Sequence, residues 1–276
     1  MCCNVARKHG APVYAYDMSP AARDAVREAG ARPLGSIAEV AAVADVVLLS
    51  LPGGKQVQEV CLGSQGIAAS GKRGTIVVDL STTSVAEARD IAGRLGAAGL
   101  RFVDAPVART RQAAHDGTLS IMVGASSEHF AEVAPILAYM GSDVTLCGDV
   151  GCGQVVKLIN NTLVFEHVAA LAEMMVVAER AGVARETLAR AVSKGSGDSF
   201  VLRNHGMKAM VPSNFPEKSF PSTYVLKDLG YSIELAESMG VEPRLPKLVA
   251  DYYRAAIERG LGEKYFPTII DVIGKA

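Results

Sequence analysis

Between positions 13 and 147 short apolar runs alternate with longer amphipathic segments, and beyond Gly153 the alternation stops. Alternation of this kind builds β-α-β units on a parallel sheet. The first half of the chain is therefore expected to be α/β and the second half all-α. Residues 13–16 read as a strand ending in Asp17; Ser19 is placed to cap, and Pro20 to open, a helix over 21–29. Further helices are expected at 36–42, 56–61, 84–95 and 128–140, and strands at 45–51, 75–80, 102–105, 120–123 and 144–147. The run at 45–51 has the near-continuous apolar character of a strand buried on both faces of a parallel sheet.

From 153 to 181 neither proline nor an internal glycine interrupts a segment apolar on more than one face, which predicts a buried helix of about 28 residues, ~42 Å long. Helices are also expected at 184–193, 201–210, 224–239 and 245–260, with no strand after Cys147. An α/β domain over 1–149 and an all-helical domain over 150–276 follow from this pattern.

Charge narrows the partners. The chain carries 28 Lys and Arg against 29 Asp and Glu, a net charge of −1, with no basic stripe. That composition excludes a nucleic-acid binder and an anionic membrane surface as first readings. The uninterrupted apolar runs are strand-length, short of the ~20 residues of a membrane helix, and no leader opens the chain. Five cysteines at 2, 3, 61, 147 and 152 are odd in number and irregular in spacing, as in a reducing, cytoplasmic compartment without a disulfide framework. The histidines are scattered, so no metal site is expected. Ser81 lacks the elbow and partnered histidine of a nucleophile.

Two places bear on chemistry. An acid at the end of a strand, as Asp17 is, either caps the turn that follows or accepts hydrogen bonds from the ribose hydroxyls of a dinucleotide. Met18 follows it and offers no charge to a 2′-phosphate, which favours NAD over NADP. The glycine fingerprint G-x-G-x-x-G expected upstream of such an acid is not in the sequence, whose opening MCCNVARKHG reads as the back half of the following helix. The chain is therefore expected to begin about one strand and one glycine loop late. The second place is GDVGCGQVVKLINN, 148–161, where glycines precede a helix that carries Lys157 and, one turn later, Asn161. A lysine in a partly desolvated position can move a proton to or from a substrate oxygen, and Asn161 can hold a hydroxyl or orient that lysine.

The ordered motifs YDMSP, LLSLPGG, DLSTTS, DAPVA, DGTLSIMVGA, GCGQVVKLINN and F-x6-KDL resemble the β-hydroxyacid dehydrogenase family over essentially the whole chain. The resemblance implies a Rossmann-like N-terminal domain, a helical C-terminal domain and an active site in the cleft between them. It implies that Lys157 is the catalytic lysine and Asn161 the substrate-binding asparagine. It also implies that Leu51, Pro52 and Thr82 lie along the cofactor with Lys227, and that Phe220 and Asp228 line or brace the substrate.

The sequence departs from the family after DAPV. Most members continue Ser-Gly-Gly, whose hydroxyl and amides grip the substrate carboxylate; here Ala108, Arg109 and Thr110 stand instead. A minority branch that includes sulfolactaldehyde reductase carries Gly-Arg-Thr. Arg109, with Thr110 beside it, is expected to receive an anionic substrate group; the alternative is that it turns outward and pairs with an acid such as Asp116. The expectation is an NAD-dependent enzyme acting on a small anionic hydroxyacid or semialdehyde, as a homodimer or homotetramer. The rivals are a non-catalytic binding or scaffold relative and an imine reductase, against which Lys157 counts.

Overall fold

A computed structural model of the chain describes residues 1–217 and 219–274. They form two compact units, Met1–Lys157 and Leu158–Ala276.

The first unit runs α1 (Cys2–Lys8), β1 (Tyr14–Ala15), α2 (Pro20–Glu28), β2 (Arg32–Pro33), α3 (Ile37–Val43), β3 (Val46–Leu49), α4 (Gly54–Leu62), α5 (Ile67–Ser70), β4 (Ile76–Asp79), α6 (Val85–Ala97), β5 (Arg101–Asp104), β6 (Val107–Ala108), α7 (Arg111–Asp116), β7 (Leu119–Gly124), α8 (Ser127–Leu137), β8 (Gly141–Gly148) and the start of α9 (Cys152–Arg180). Five of these helices open on a serine or threonine whose hydroxyl accepts a first-turn N–H: Ser19, Ser36, Ser84, Thr110 and Ser126. At Ser84 the cap is reciprocal, with Glu87 returning a bond to the Ser84 N–H. Such caps satisfy donors that a helix start leaves orphaned, and each is worth about 1 kcal/mol.

Strands β3, β4 and β5 are parallel neighbours, with Val46, Ile76 and Arg101 in register. β4 lies between the other two and is buried along its whole length. β7 runs antiparallel to β5 and β6, and β8 is parallel to β7. The sheet is thus mixed, where alternation alone predicts a parallel one. The link between β6 and β7 holds only the short helix α7, which suits an antiparallel return better than a full crossover. β1 and β2 form a separate two-stranded parallel sheet. With its parallel β3–β4–β5 core and intervening helices the unit is Rossmann-like, as expected. The short elements β2, α5, β6 and α7 have too little periodicity to read from the sequence.

The second unit continues α9 and adds α10 (Arg185–Val192), a π-helix over Leu202–Met210, α11 (Ser222–Ser238), α12 (Arg244–Glu258), a 3-10 turn over Phe266–Ile269 and α13 (Ile270–Ile273). Among the described residues it holds no strand beyond isolated bridges of Glu217 with Lys264 and Pro221 with Tyr265. The segment expected as an ordinary helix over 201–210 is π-helical. Its His205 meets the Tyr265 hydroxyl at 2.7 Å, and a Cβ on Gly206 would lie 2.8 Å from Leu171. The core is built from Phe165, Val168, Ala172 and Met175 of α9 against Leu202, Val225, Leu229, Tyr253 and Phe266.

The expectation that no segment reaches membrane-spanning length is corrected by α9. With a mean hydropathy of 1.3, it is long and apolar enough by those criteria; polar residues interrupt its runs without lowering the average below that level. Its burial repeats with helical period against the unit's own core, the pattern of a core helix.

Candidate active site

The site begins where β3 and β4 end, at the carboxyl ends of parallel strands, where open α/β sheets place their ligands. Asp79 closes β4 and is fully buried. Its Oδ1 accepts the Ser81 N–H at 2.9 Å, and the Ser81 hydroxyl accepts the Leu51 N–H at 2.9 Å. These bonds stitch the loop after β3, with half-buried Leu51 and exposed Pro52, to the loop after β4 that carries half-buried Thr82.

The start of α9 is locked onto the same sheet. Asp104, at the end of β5, accepts N–H bonds from Gly151 at 2.7 Å and Gln154 at 2.8 Å. A carboxylate suits a helix N-terminus, where unpaired N–H groups converge. Burial nevertheless pushes the Asp104 carboxyl up to about 6, and these backbone bonds pull it back only in part. Gly153 is required for the close approach: a Cβ there would lie 2.4 Å from the Met122 carbonyl oxygen. Gly151 adopts φ +94°, a left-handed conformation that disfavours other residues. Gln154 is fully buried and donates from Nε2 to Ser81 O at 2.8 Å, while its Oε1 accepts the Thr83 N–H at 3.2 Å. Lys157 follows in the next turn, only 8% exposed.

In the second unit Asn161, 7% exposed, donates from Nδ2 to Asp228 Oδ2 at 2.8 Å. Lys227 Nζ stands 2.9 Å from Asp228 Oδ1. It also lies 5.2 Å from the Tyr231 ring and 5.8 Å from the Tyr224 ring, within cation–π range. Tyr224, Lys227, Asp228 and Tyr231 share one face of α11 by their spacing. Phe220, just before α11, packs edge-on to Tyr224 with ring centres 6.0 Å apart and continues the aromatic wall to Phe266 at 5.8 Å.

The remaining expected residues sit elsewhere in the first unit. Asp17 is exposed at the end of β1, its Oδ1 accepting the Ser19 N–H at 2.8 Å. The Arg23 guanidinium donates to the Asp17 and Met18 carbonyls. Ala108 pairs with Ser120 across β6 and β7, and the Thr110 hydroxyl caps α7. Arg109 has φ +86°, and its guanidinium donates to Thr118 O at 2.6 Å, Ser142 Oγ at 3.0 Å and Asp143 Oδ2 at 2.6 Å. The Ser142 hydroxyl and then the Arg109 charge hold the Asp143 carboxyl below its ordinary range. Asp116, the other acid within reach on the sequence, accepts instead from Gln112.

These groups fit a nicotinamide dinucleotide at both of its ends. Asp17 offers an exposed carboxylate to a ribose diol, and the stitched loops with Leu51, Pro52 and Thr82 offer apolar surface and a hydroxyl at the strand ends. Among the described residues no cluster of three or more His, Cys, Asp or Glu is placed to hold a metal.

Sequence reasoning missed the supporting residues Asp79, Ser81, Asp104, Gln154, Tyr224 and Tyr231. The signal for Gln154 was present in GCGQVVK, where it stands in the glycine-bounded turn before Lys157. The tyrosines lie at i−3 and i+4 from Lys227, the spacing of one helix face.

A family profile described as the NAD binding domain of 6-phosphogluconate dehydrogenase matches residues 1–148. One described as the NAD-binding of NADP-dependent 3-hydroxyisobutyrate dehydrogenase matches residues 151–273. The 2-(hydroxymethyl)glutarate dehydrogenase of Eubacterium barkeri is 32% identical over 265 residues, 96% of this chain and 88% of that protein. The mitochondrial 3-hydroxyisobutyrate dehydrogenase of Homo sapiens is 32% identical over 271 residues, 96% of this chain and 81% of that protein. The crystal structure of 3-hydroxyisobutyrate dehydrogenase from Salmonella typhimurium matches with a TM-score of 0.87 at 28% identity, covering 98% of this chain and 95% of that one.

Proposed function

The chain belongs to the β-hydroxyacid dehydrogenase family, and we propose that it oxidises a small anionic β-hydroxyacid, or reduces the matching semialdehyde, with Lys157 moving the proton. It is an NAD(P)-dependent oxidoreductase of CH–OH groups. The observation that carries the proton-transfer reading is Lys157 itself: 8% exposed, in the second turn of a helix whose first turn is fixed to the sheet by Asp104 and Gln154. A lysine so placed is desolvated and pre-positioned, the two conditions general acid–base work asks of it.

When bound, NAD(P) supplies a two-electron hydride acceptor or donor at its nicotinamide. Asp17 would hold the adenosine ribose, and Leu51, Pro52, Thr82 and Lys227 would line the cofactor. In the oxidising direction Lys157 takes the hydroxyl proton at its Nζ; in the reducing direction it returns that proton to the nascent alkoxide oxygen. Asn161, oriented by Asp228, holds the substrate hydroxyl, and Phe220 excludes water beside it. NAD is the preferred cofactor on this reading, because Asp17 repels a 2′-phosphate and Met18, 86% exposed, offers it nothing.

Arg109 is assigned to the substrate's anionic end, in exchange for Asp143. That ion pair is solvent-exposed on both sides, and such pairs contribute little because water and salt screen them. A two-pronged bond to a carboxylate or sulfonate exceeds it. The protein is proposed to work as a homodimer or homotetramer. Ile159, Leu163, His167, Ala170, Met174 and Val177 form an exposed, mostly apolar stripe at helical spacing along α9, and stripes of this kind mark interfaces. A cytoplasmic setting is proposed from cysteines that are all free thiols. The test of the function is a panel of 3-hydroxyisobutyrate, 2-(hydroxymethyl)glutarate and neutral alcohols of matching length, each assayed with NAD and NADP. Turnover confined to the neutral alcohols, or absent throughout, defeats the reading; sedimentation at micromolar concentration reads the oligomer.

A further inference from the structure

The carboxamide of Gln154 bridges two particular peptide groups. The Ser81 carbonyl, which accepts from Nε2 at 2.8 Å, belongs to the peptide entering Thr82. The Thr83 N–H, which donates to Oε1 at 3.2 Å, belongs to the peptide leaving it. One side chain thus pairs with both sides of a single residue, as a neighbouring strand would, and restricts both backbone dihedrals of Thr82. Gln154 is itself fixed, because its own N–H is bonded to Asp104 Oδ2 at 2.8 Å and it has no exposed surface. It precedes Lys157 by three residues on α9, so the two Cα atoms differ by about 4.5 Å along the helix axis.

We propose that Gln154 is a positioning residue that sets the Thr82 hydroxyl and the Lys157 amine in one fixed geometry toward the same substrate oxygen. The proposal rests on the reading of Lys157 as the proton-transfer group. The carboxamide is the chemistry the position requires, since the entering peptide presents an acceptor and the leaving peptide a donor. Glutamate can answer only the donor, asparagine is one methylene short, and methionine fills the volume and answers neither.

The test is a double-mutant cycle on the full chain. Gln154→Met should lower kcat by about 10- to 100-fold, the scale of a sub-ångström misplacement of catalytic groups, with KM moving by less than about threefold. It should also shift the ionisation in the kcat–pH profile that Lys157→Ala abolishes. In the Lys157→Ala background the same change should alter kcat by less than about twofold, because no amine is left to position. A purely structural role predicts the same factor in both backgrounds and an unmoved profile, and that result overturns the proposal. Wild-type turnover in Gln154→Met overturns it equally. Should Gln154→Met fail to fold, Gln154→Glu, which keeps the acceptor for Thr83, carries the same cycle. Lys157→Ala with undiminished turnover removes the proton-transfer reading instead. The clamp is then read by hydrogen exchange at the Thr83 amide, which should speed up by at least about tenfold in Gln154→Met; an unchanged rate overturns the clamp as well.

Discussion

Asn161 donates its side-chain amide to Asp228 at 2.8 Å, and Asp228 is 2% exposed. The acid holds the asparagine's amide, and Asn160 Nδ2 donates to the asparagine's oxygen at 3.2 Å, while the acid's other oxygen pairs with Lys227 at 2.9 Å. Asp228→Ala should take from the Asn161 amide and from Lys227 the carboxylate that each now meets. Removing a charged hydrogen-bond partner corresponds to about 1.5–3 kcal/mol, so KM for the hydroxyacid should rise by roughly 10- to 100-fold. Steady-state kinetics check this; a KM within twofold of wild type removes Asp228 from the binding machinery.

His205 makes the fold acid-sensitive. Burial, and next the Lys208 charge, hold its imidazole down at about 4 from an ordinary 6.5, while Nδ1 is paired with the Tyr265 hydroxyl. The unfolded chain takes up this proton before the folded one does. Stability from this residue is complete above pH 6.5 and is lost as the pH falls toward 4, by about 3 kcal/mol in all. Urea midpoints at pH 7 and pH 5 should differ less in His205→Gln, which stays neutral and can still bond Tyr265; an equal fall in both proteins contradicts the assignment.

Asp104 acts in the opposite sense. Its carboxyl is raised from 3.8 to about 6, chiefly by burial, so the folded state binds the proton more tightly. Its contribution is complete below pH 3.8 and is lost as the pH rises through 6. Between pH 4 and 6 it offsets part of the His205 effect. Asp104→Asn should therefore make the fall in stability on acidification steeper than in wild type. A shallower slope in that variant would refute the assignment.

Much of this arrangement was legible in the sequence because it depends on local chemistry. Ser19 is the cap its position announces, while Ser36 and Ser84, expected as first helical residues, stand one position earlier as caps, and the expected long helix is one 29-residue helix, Cys152–Arg180. Pairing direction was not legible: β7 turns antiparallel to β5 through contacts such as Asp104 with Gly124, twenty positions apart. The supporting residues were hidden for the same reason. Gln154 reaches Ser81 across 73 positions and Asp104 reaches Gln154 across 50, and no periodicity encodes such partners. Arg109 was read as a substrate anchor, and its pairing with Asp143 was not legible, because its three acceptors lie on strands and turns 9 to 34 positions away.

Gly153 should tolerate no side chain. Even alanine places a Cβ 2.4 Å from the Met122 carbonyl oxygen and 2.9 Å from the Gly124 nitrogen, both backbone atoms that cannot swing aside. Gly153→Ala should destabilise the protein by about 1–3 kcal/mol through overpacking and displace the turn that precedes Lys157. Calorimetry should show a lowered Tm, and kcat should fall more than KM rises. An unchanged Tm would mean that α9 sits farther from β7 than this packing requires.

Arg109 gives the clearest choice between a structural and a substrate role, because its partner can be removed separately. Asp143, Ser142 and Thr118 now hold the guanidinium. The Arg109–Asp143 pair is exposed on both sides, with side chains 43% and 54% accessible. Breaking it therefore costs little, and what remains is competition between two anions for one cation. If a substrate anion wins that competition during turnover, deleting the competitor should help it: Asp143→Ala should lower KM for carboxylate and sulfonate semialdehydes by a few-fold. Arg109→Ala should raise the same KM by roughly 10- to 100-fold, and neutral aldehydes of equal length should respond to neither change. If the pair instead only ties β6 to β8, both substitutions should lower Tm slightly and leave the substrate ranking as it was. Opposite movements of KM in the two variants, confined to anionic substrates, are the outcome the anchoring role requires.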